Sequence, residues 1–334
     1  MVTGTMGGNK MKNIVRSLKM AAAAAAVFTV ATSAMAANIA IIGGKADDPF
    51  FSKIKKGIDD AATVVKAHGG TVTYLQLQTY DNIGGDAANL VRTAISKGVD
   101  VIAVPNWVPA SEDEAIKAAM AAKIPVMLYN AGGGDKAKEL GAINYIGNEE
   151  HPAGVAGGAY FAAHGAKHVI CVNTVPGAGN LEARCAGIKE GMEKAGGKSE
   201  QLPLPSSSFG DPTAVAEAIK ATLTKDPTID GVFTISAGDG DSAFTGIQQA
   251  GKTDTVKLGS FDMNVSGLHR IKDGQQLFAI DQQPWLQGFL AVTMSDVYVN
   301  YALALASAPV LTGPGIVDKS NVELTLKGGE KGYR

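Results

Sequence analysis

Polar and aromatic side chains stand directly after the apolar segments that the sequence predicts to be strands. The members of this set that could contact a ligand are Lys45, Asp48, Phe50, Phe51, Trp107, Tyr129, Asn130, Asn148, Asp239, Asp262 and Gln282. Carboxylates and amides offer hydrogen-bond donors and acceptors in fixed places, and aromatic rings offer flat apolar surface. That combination suits a neutral ligand rich in hydroxyl groups, such as a sugar or a polyol.

Residue types that catalysis uses are present, but they form no recognised catalytic pattern. The glycines at 132–134 do not follow the first strand in the G-x-G-x-x-G arrangement of a dinucleotide site, and no G-x-S-x-G motif occurs. The five histidines are scattered, and Asp239 with Asp241 lacks the other positions of a calcium loop. We therefore predict a binding protein without catalytic residues, cofactor or metal site, rather than a dehydrogenase or a hydrolase.

The elements that would position these side chains alternate between short apolar strands and helices. In the first part of the chain, the predicted strands are 38–43, 71–76, 101–104 and 126–129, and the predicted helices are 51–68, 83–97 and 111–122. The alternation continues through a helix at 241–250 to a long last helix at 284–305. This pattern favours an α/β fold of two doubly wound, Rossmann-like lobes with parallel sheets. In such lobes, ligands bind outside the carboxyl ends of the strands.

The first 36 residues have the pattern of a secretory signal peptide. Basic residues precede the apolar run from Met20 to Val30, and Ala34 with Ala36 forms an A-x-A cleavage site. The apolar run is too short to span a bilayer. We predict cleavage before Ala37 and export to the periplasm, with Met11 as an alternative start.

Charge and cysteine content narrow the class of protein further. The net charge of −2 provides no basic face, so the sequence predicts no nucleic-acid partner. Cys171 lies in a predicted strand and Cys185 in the predicted helix that follows it. An oxidising compartment favours a disulfide between two such cysteines, and two buried thiols are the alternative.

Short motifs throughout the chain resemble those of the periplasmic sugar-binding proteins of ABC transporters, of the ribose-binding type. The resemblance extends over 38–327, and its strength lies in the order and spacing of the motifs. These are Asp48-Pro49-Phe50-Phe51, Gly98-Val99-Asp100-Val101-Ile102, Ile124-Pro125-Val126, Arg184-Cys185-Ala186-Gly187, Gly259-Ser260-Phe261-Asp262 and Asp281-Gln282-Gln283-Pro284.

This resemblance implies two lobes that are joined by three crossovers and close over one sugar. The N-terminal lobe would comprise 38–146 plus 283–312, and the C-terminal lobe 147–282 plus 313–334. The implied protein is a monomer that delivers a neutral monosaccharide or polyol to a membrane permease, and it could also signal to a chemoreceptor. The alternative ligand is a furanosyl signalling molecule similar to autoinducer-2. Repressors of this fold carry a DNA-binding segment where this chain has its predicted signal peptide.

The resemblance also assigns ligand contacts position by position. It implies that Arg184 and Phe209 contact the ligand, in addition to Asp48, the Phe50–Phe51 pair, Asp262 and Gln282. The family often has Asp-Arg after the fourth strand, where this chain has Tyr129-Asn130. The loss of that guanidinium implies a ligand other than ribose. Asp48 and Asp262 would disfavour anionic ligands through repulsion of like charges.

Overall fold

A computed structural model describes residues 1–3, 36–304 and 307–334. Most of the predicted signal peptide, 4–35, therefore lies outside the described residues. Within the described ranges, no helix combines the length and hydropathy that a membrane span requires.

The first sheet has six strands in the order β11-β5-β4-β3-β1-β2, and all neighbouring pairs are parallel. Its strands are β1 (Asn38–Gly43), β2 (Thr71–Gln76), β3 (Val101–Val104), β4 (Val126–Tyr129), β5 (Tyr145–Gly147) and β11 (Val310–Leu311). Its helices are α1 (Pro49–Ala67), α2 (Ile83–Ser96), α3 (Pro109–Ala121), α4 (Gly133–Leu140) and α10 (Pro284–Tyr301). We call this sheet with its helices the first lobe.

The second sheet repeats this order as β12-β10-β9-β8-β6-β7, in which only β12 is antiparallel to its neighbour. Its strands are β6 (His168–Asn173), β7 (Lys198–Pro203), β8 (Gly231–Thr234), β9 (Lys257–Phe261), β10 (Phe278–Asp281) and β12 (Gly315–Val317). Its helices are α5 (Glu150–Ala163), α6 (Gly179–Lys194), α7 (Pro212–Lys225), α8 (Ala237–Gln249), α9 (Val265–Asp273) and α11 (Val322–Gly329). We call this sheet with its helices the second lobe.

Both faces of each sheet are covered by helices, as the pattern of apolar residues predicts. In β1, Ile39 and Ile41 pack into one apolar cluster with α1, whereas Ala40 and Ile42 pack into another with α2 and α3. Burial of each such aliphatic side chain contributes about 1.5–3 kcal/mol. The chain passes between the sheets after β5, after β10 and between β11 and β12, so three segments join the lobes. The predicted α/β fold of two doubly wound lobes is confirmed.

Some predicted helix boundaries were wrong. The last long helix ends at Tyr301 rather than at 305, because Ala302 adopts a left-handed conformation with φ of 52°. Helix α8 begins at Ala237 rather than at 241, because the Ser236 side chain caps it by accepting from the Asp239 amide. Helix α4 was not predicted, since three consecutive glycines obscured its start.

Glycines bring helices α5 and α6 into close contact. A Cβ atom on Gly154 would lie 2.3 Å from the main-chain oxygen of Arg184, and one on Gly187 would lie 2.3 Å from that of His151. Only glycine permits this approach of two backbones. The contact places the first turn of α5 beside Arg184, which matters for the site described below.

Cys171 on β6 and Cys185 on α6 form a disulfide, with Cα atoms 5.5 Å apart. Both residues belong to the apolar cluster between the second sheet and helices α5 and α6. The bridge therefore joins a central strand to the helix that carries Arg184.

Replacing both cysteines by alanine is expected to lower the free energy of unfolding by about 3 kcal/mol. The bridge closes a loop with a sequence separation of 14, and opening that loop frees the unfolded chain. Denaturant melts of the double variant and of the oxidised and reduced wild type would measure the loss. An unchanged melt, together with two titratable thiols in the unreduced protein, would contradict the bridge.

Candidate ligand-binding site

A cavity lies between the lobes, where the carboxyl ends of the strands of both sheets meet. Its wall includes nine of the side chains predicted to contact ligand: Asp48, Phe50, Phe51, Trp107, Asn130, Arg184, Phe209, Asp262 and Gln282. Each of these residues follows a strand or lies in the first turns of a helix, except Phe209, which follows a short 3-10 turn. The doubly wound topology thus collects residues that are far apart in sequence.

Aromatic rings form the apolar walls of this cavity. Phe51 meets Trp107 edge to face at 5.8 Å between ring centroids, and Phe50 meets Phe51 in the same manner at 5.5 Å. Tyr80 of the first lobe meets Phe209 of the second at 5.1 Å. Flat apolar surfaces of this kind suit the C–H faces of a sugar or polyol ring.

Asp48 combines a structural role with a place in the cavity. Its side chain caps α1 by accepting from the Phe50 amide at 2.8 Å, and it also accepts from the Tyr80 hydroxyl at 2.6 Å. Burial raises the pKa of Asp48, although these hydrogen bonds favour the charged form. Each oxygen retains a lone pair that could accept from a ligand hydroxyl.

Arg184 is held by a buried ion pair. Its Nε lies 2.7 Å from one oxygen of Glu150 and its Nη2 lies 3.2 Å from the other, while Nη1 donates to the Ile235 carbonyl at 2.8 Å. The guanidinium also lies over the Phe261 ring, 3.8 Å from its centroid. The positive charge is therefore matched within the protein, and the two remaining N–H groups could donate to neutral hydroxyls.

Asp262 and Gln282 form a polar wall beside the crossovers. The Gln282 amide donates to Asp262 at 2.6 Å and accepts from Gln287 at 3.2 Å. Asp262 and Asn130 both adopt left-handed backbone conformations, with φ of 61° and 62°. Burial raises the pKa of Asp262 to about 6, although Arg184, Gln282 and Lys53 favour its charged form. Its carboxylate is therefore an acceptor whose charge depends on pH between 5 and 7.

The lobes touch across the cavity. The Gly179 amide at the start of α6 donates to the Trp107 carbonyl of the first lobe at 2.7 Å. The Trp107 loop is fixed from behind by Glu112, whose two oxygens accept from the amides of Trp107 and Val108 at 3.1 and 2.8 Å. The two lobes are therefore in direct contact beside the cavity, as in a closed arrangement.

Lys45 and Asp239 line a second pocket, which adjoins the cavity and shares Asp48, Phe209 and Asp262 with it. The Lys45 ammonium lies 5.9 Å from the centroid of the Phe209 ring. Asp239 accepts from Thr174 at 2.9 Å and from Ser236 at 2.8 Å, and burial raises its pKa to about 6.

Tyr129 and Asn148 do not line the cavity, so their predicted ligand contacts are corrected here. Tyr129 is completely buried in the core of the first lobe, and its hydroxyl donates to the Ile42 carbonyl. Residues of a strand alternate between its faces, which places Tyr129 beneath α1 and leaves Asn130 to reach the cavity. Asn148 is also buried, and its amide lies 3.4 Å from Glu150.

Several residues of the site were not predicted from the sequence. Tyr80 and Ser236 line the cavity, as does Asn180, whose buried Oδ1 has no hydrogen-bond partner within the described part of the chain. Tyr80 follows β2, so the rule of strand ends could have found it. Glu150 could have been inferred as the acid that a buried arginine requires.

One cluster of potential metal ligands lies far from the cavity, at the opposite end of the second sheet. His168 Nε2 is 3.2 Å from Glu200, whereas Nδ1 is 2.9 Å from Thr228 and 3.7 Å from Asp226. The two carboxylates approach different ring nitrogens, and one ligand atom from each of the three residues lies within 4.8 Å of the others. The contacts described here are hydrogen bonds and ion pairs within the protein.

The chain belongs to the periplasmic binding protein family, because the family model described as periplasmic binding protein domain matches residues 39–301. The xylose/arabinose-binding protein of Sulfolobus acidocaldarius is 25% identical over 300 residues, covering 86% of this chain and 72% of that protein. The ribose import binding protein of Salmonella typhimurium is 27% identical over 302 residues, covering 89% of this chain and 97% of that protein.

Two solved structures agree with this assignment. A carbohydrate transporter from Acidothermus cellulolyticus 11B, in complex with myo-inositol, has a TM-score of 0.81 and 36% identity, and the match covers 89% of this chain and 99% of that one. A solute binding protein from Burkholderia graminis C4D1M, in complex with D-arabinose, has a TM-score of 0.72 and 25% identity. The match covers 85% of this chain and 96% of that one.

These comparisons define the class of protein. Members of the family bind a substrate for transport and do not catalyse a reaction, so the prediction of a non-enzymatic binding protein is confirmed. The predicted resemblance to sugar-binding proteins of ABC transporters is also confirmed. The names and titles of these relatives give sugars or a polyol as their ligands. They do not favour the alternative of a furanosyl signalling molecule.

Proposed function

We propose that this protein captures a neutral monosaccharide or polyol between its lobes and presents the closed complex to the permease of an ABC transporter. The observation that carries the proposal is the cavity itself, which combines aromatic walls with buried carboxylates, amides and a guanidinium. The predicted contacts that line it provide acceptors and donors for several hydroxyl groups.

The charges around the cavity favour a neutral ligand. Among the described residues that line the cavity, Arg184 carries the one guanidinium; Glu150 matches its charge, and the carboxylates of Asp48 and Asp262 lie nearby. An anionic sugar would meet these carboxylates without an unmatched arginine to compensate. The relative solved with myo-inositol, which is 36% identical, supports cyclic polyols as one class to test.

Closure of the lobes provides the signal for transport. A ligand that contacts both lobes binds the closed form more tightly and so shifts the equilibrium toward it. The permease would recognise the paired surfaces of the closed lobes, and a chemoreceptor could recognise the same surfaces. We further propose that the protein acts as a monomer in the periplasm after its signal peptide, 1–36, is cleaved.

A thermal-shift panel on the mature chain tests this function. The protein would be unfolded and refolded to remove any carried ligand, then tested with pentoses, hexoses, polyols, sugar acids and amino acids. A ligand that binds only the folded state raises the melting temperature by mass action. We expect a shift from one or two neutral sugars or polyols, with myo-inositol included. A shift from an anion or an amino acid alone would overturn the proposed ligand class.

A further inference from the structure

Lys53, which was not among the residues predicted to contact ligand, makes a contact between the lobes. It lies on α1 of the first lobe, and its Nζ donates to the Met263 carbonyl of the second lobe at 2.6 Å. The side chain is half-buried and lines the second pocket, together with Asp48 and Asp262. A lysine that leaves bulk water to bond a main-chain carbonyl requires compensation for its lost hydration.

That compensation comes from carboxylates on both sides of the cleft. Asp262, Asp48 and Asp281 favour the charged form of Lys53, whereas burial lowers its pKa. Around Asp262 the remaining charged groups are Arg184, which favours the carboxylate, and Glu150, which disfavours it. Asp281 is also paired with Arg334, at 2.8 Å.

The position of the acceptor links this contact to the ligand cavity. Met263 directly follows Asp262, whose left-handed backbone is tied to β10 by a bond from its amide to the Ile280 carbonyl at 2.9 Å. The bond from Lys53 holds the next peptide in the same loop. It joins the two lobes, so it can form only when they are close together.

We propose that Lys53 is a positioning residue that forms its bond to Met263 on closure and thereby holds Asp262 as an ionised acceptor for the ligand. This inference rests on the proposed function, because it assigns Lys53 a role in the same binding event. The ammonium stabilises the Asp262 carboxylate by its charge, and the bond restrains the loop that carries it. A lysine that only linked the two lobes would restrain the loop without stabilising the charge of Asp262.

The test measures the affinity for myo-inositol by calorimetry from pH 5 to 8. It compares wild type with Lys53→Met and Lys53→Arg, and Lys66→Met, an exposed lysine on the same helix, is the matched control. We expect Lys53→Met to bind about tenfold more weakly at pH 7 and to lose affinity at a higher pH than wild type does. Lys53→Arg should restore the wild-type pH profile, and Lys66→Met should leave it unchanged.

A second measurement does not depend on the ligand. The carboxyl carbon signal of Asp262, assigned by its absence in Asp262→Asn, should titrate at a higher pH in Lys53→Met than in wild type. An unmoved titration, or equal weakening of binding at every pH, would overturn the charge role. If wild type binds neither myo-inositol nor any other neutral compound of the panel, the proposed function fails, and the role of Lys53 in ligand binding fails with it.

Discussion

Replacing Arg184 with alanine is expected to lower the free energy of unfolding by about 3–5 kcal/mol and to abolish ligand binding. The substitution leaves Glu150 as a buried carboxylate without its cation, and it removes the donor to the Ile235 carbonyl. It also removes the guanidinium that lies over Phe261. The loss thus combines an unpaired charge, an unpaired carbonyl and a missing part of the cavity wall.

Denaturant melts and calorimetry with the sugar or polyol identified by the panel would measure both effects. Arg92→Ala serves as the control, because Arg92 is exposed on α2 and contacts only Asn89 through its side chain in the described structure. Adding Glu150→Gln to Arg184→Ala should recover part of the stability and none of the binding. If Arg184→Ala were as stable as Arg92→Ala, the buried pair would contribute nothing to the fold.

Replacing Asp262 with asparagine is expected to weaken ligand binding by about 1–3 kcal/mol, or roughly 5- to 150-fold. The amide cannot offer two charged oxygens, and Gln282 would lose its ionised acceptor. Asp254→Asn, an exposed change in a loop, is the matched control. Binding of wild-type strength in Asp262→Asn would place the ligand elsewhere in the cleft.

The same substitution should alter the dependence of binding on pH. Burial raises the pKa of Asp262 to about 6, so a ligand that donates to the carboxylate should bind about tenfold more weakly for each pH unit below 6. This slope should be smaller in Asp262→Asn, with a remainder from Asp239, whose pKa is also about 6. Calorimetry from pH 4.5 to 8 would measure both profiles.

Stability without ligand should respond to pH in the opposite direction. Between pH 3.8 and about 6, the folded state holds the Asp262 proton more tightly than the unfolded state does. The contribution of Asp262 to the free energy of unfolding therefore falls by about 3 kcal/mol as the pH rises through this window and is constant above it, and Asp239 contributes a change of the same sign. Asp262→Asn should remove the part of this decrease that Asp262 contributes. Denaturant melts of the refolded, ligand-free protein across this pH range would measure the difference.

The sequence predicted the architecture well, because its signals are local and repeated. Apolar runs such as Asn38–Gly43, alternating with helices of regular apolar spacing, can be buried only as strands covered on both faces. Family motifs such as Asp48-Pro49-Phe50-Phe51 and Gly259-Ser260-Phe261-Asp262 lie at strand ends or at the helix starts that follow them. Boundaries were less predictable, as in α8, which the Ser236 cap starts at Ala237 rather than at the predicted 241.

The sequence by itself determined the class of this protein: a two-lobed binding protein of the sugar-transport type, with polar and aromatic residues at the strand ends. Only the tertiary structure decided which of those residues face the ligand cavity. Tyr129 and Asn130 are neighbours in sequence, yet one is buried in the core and the other lines the cavity, because successive side chains point to opposite faces of a strand. Likewise, Lys53 and Met263 are 210 residues apart in sequence. No local sequence pattern predicts a hydrogen bond that forms only when the two lobes meet.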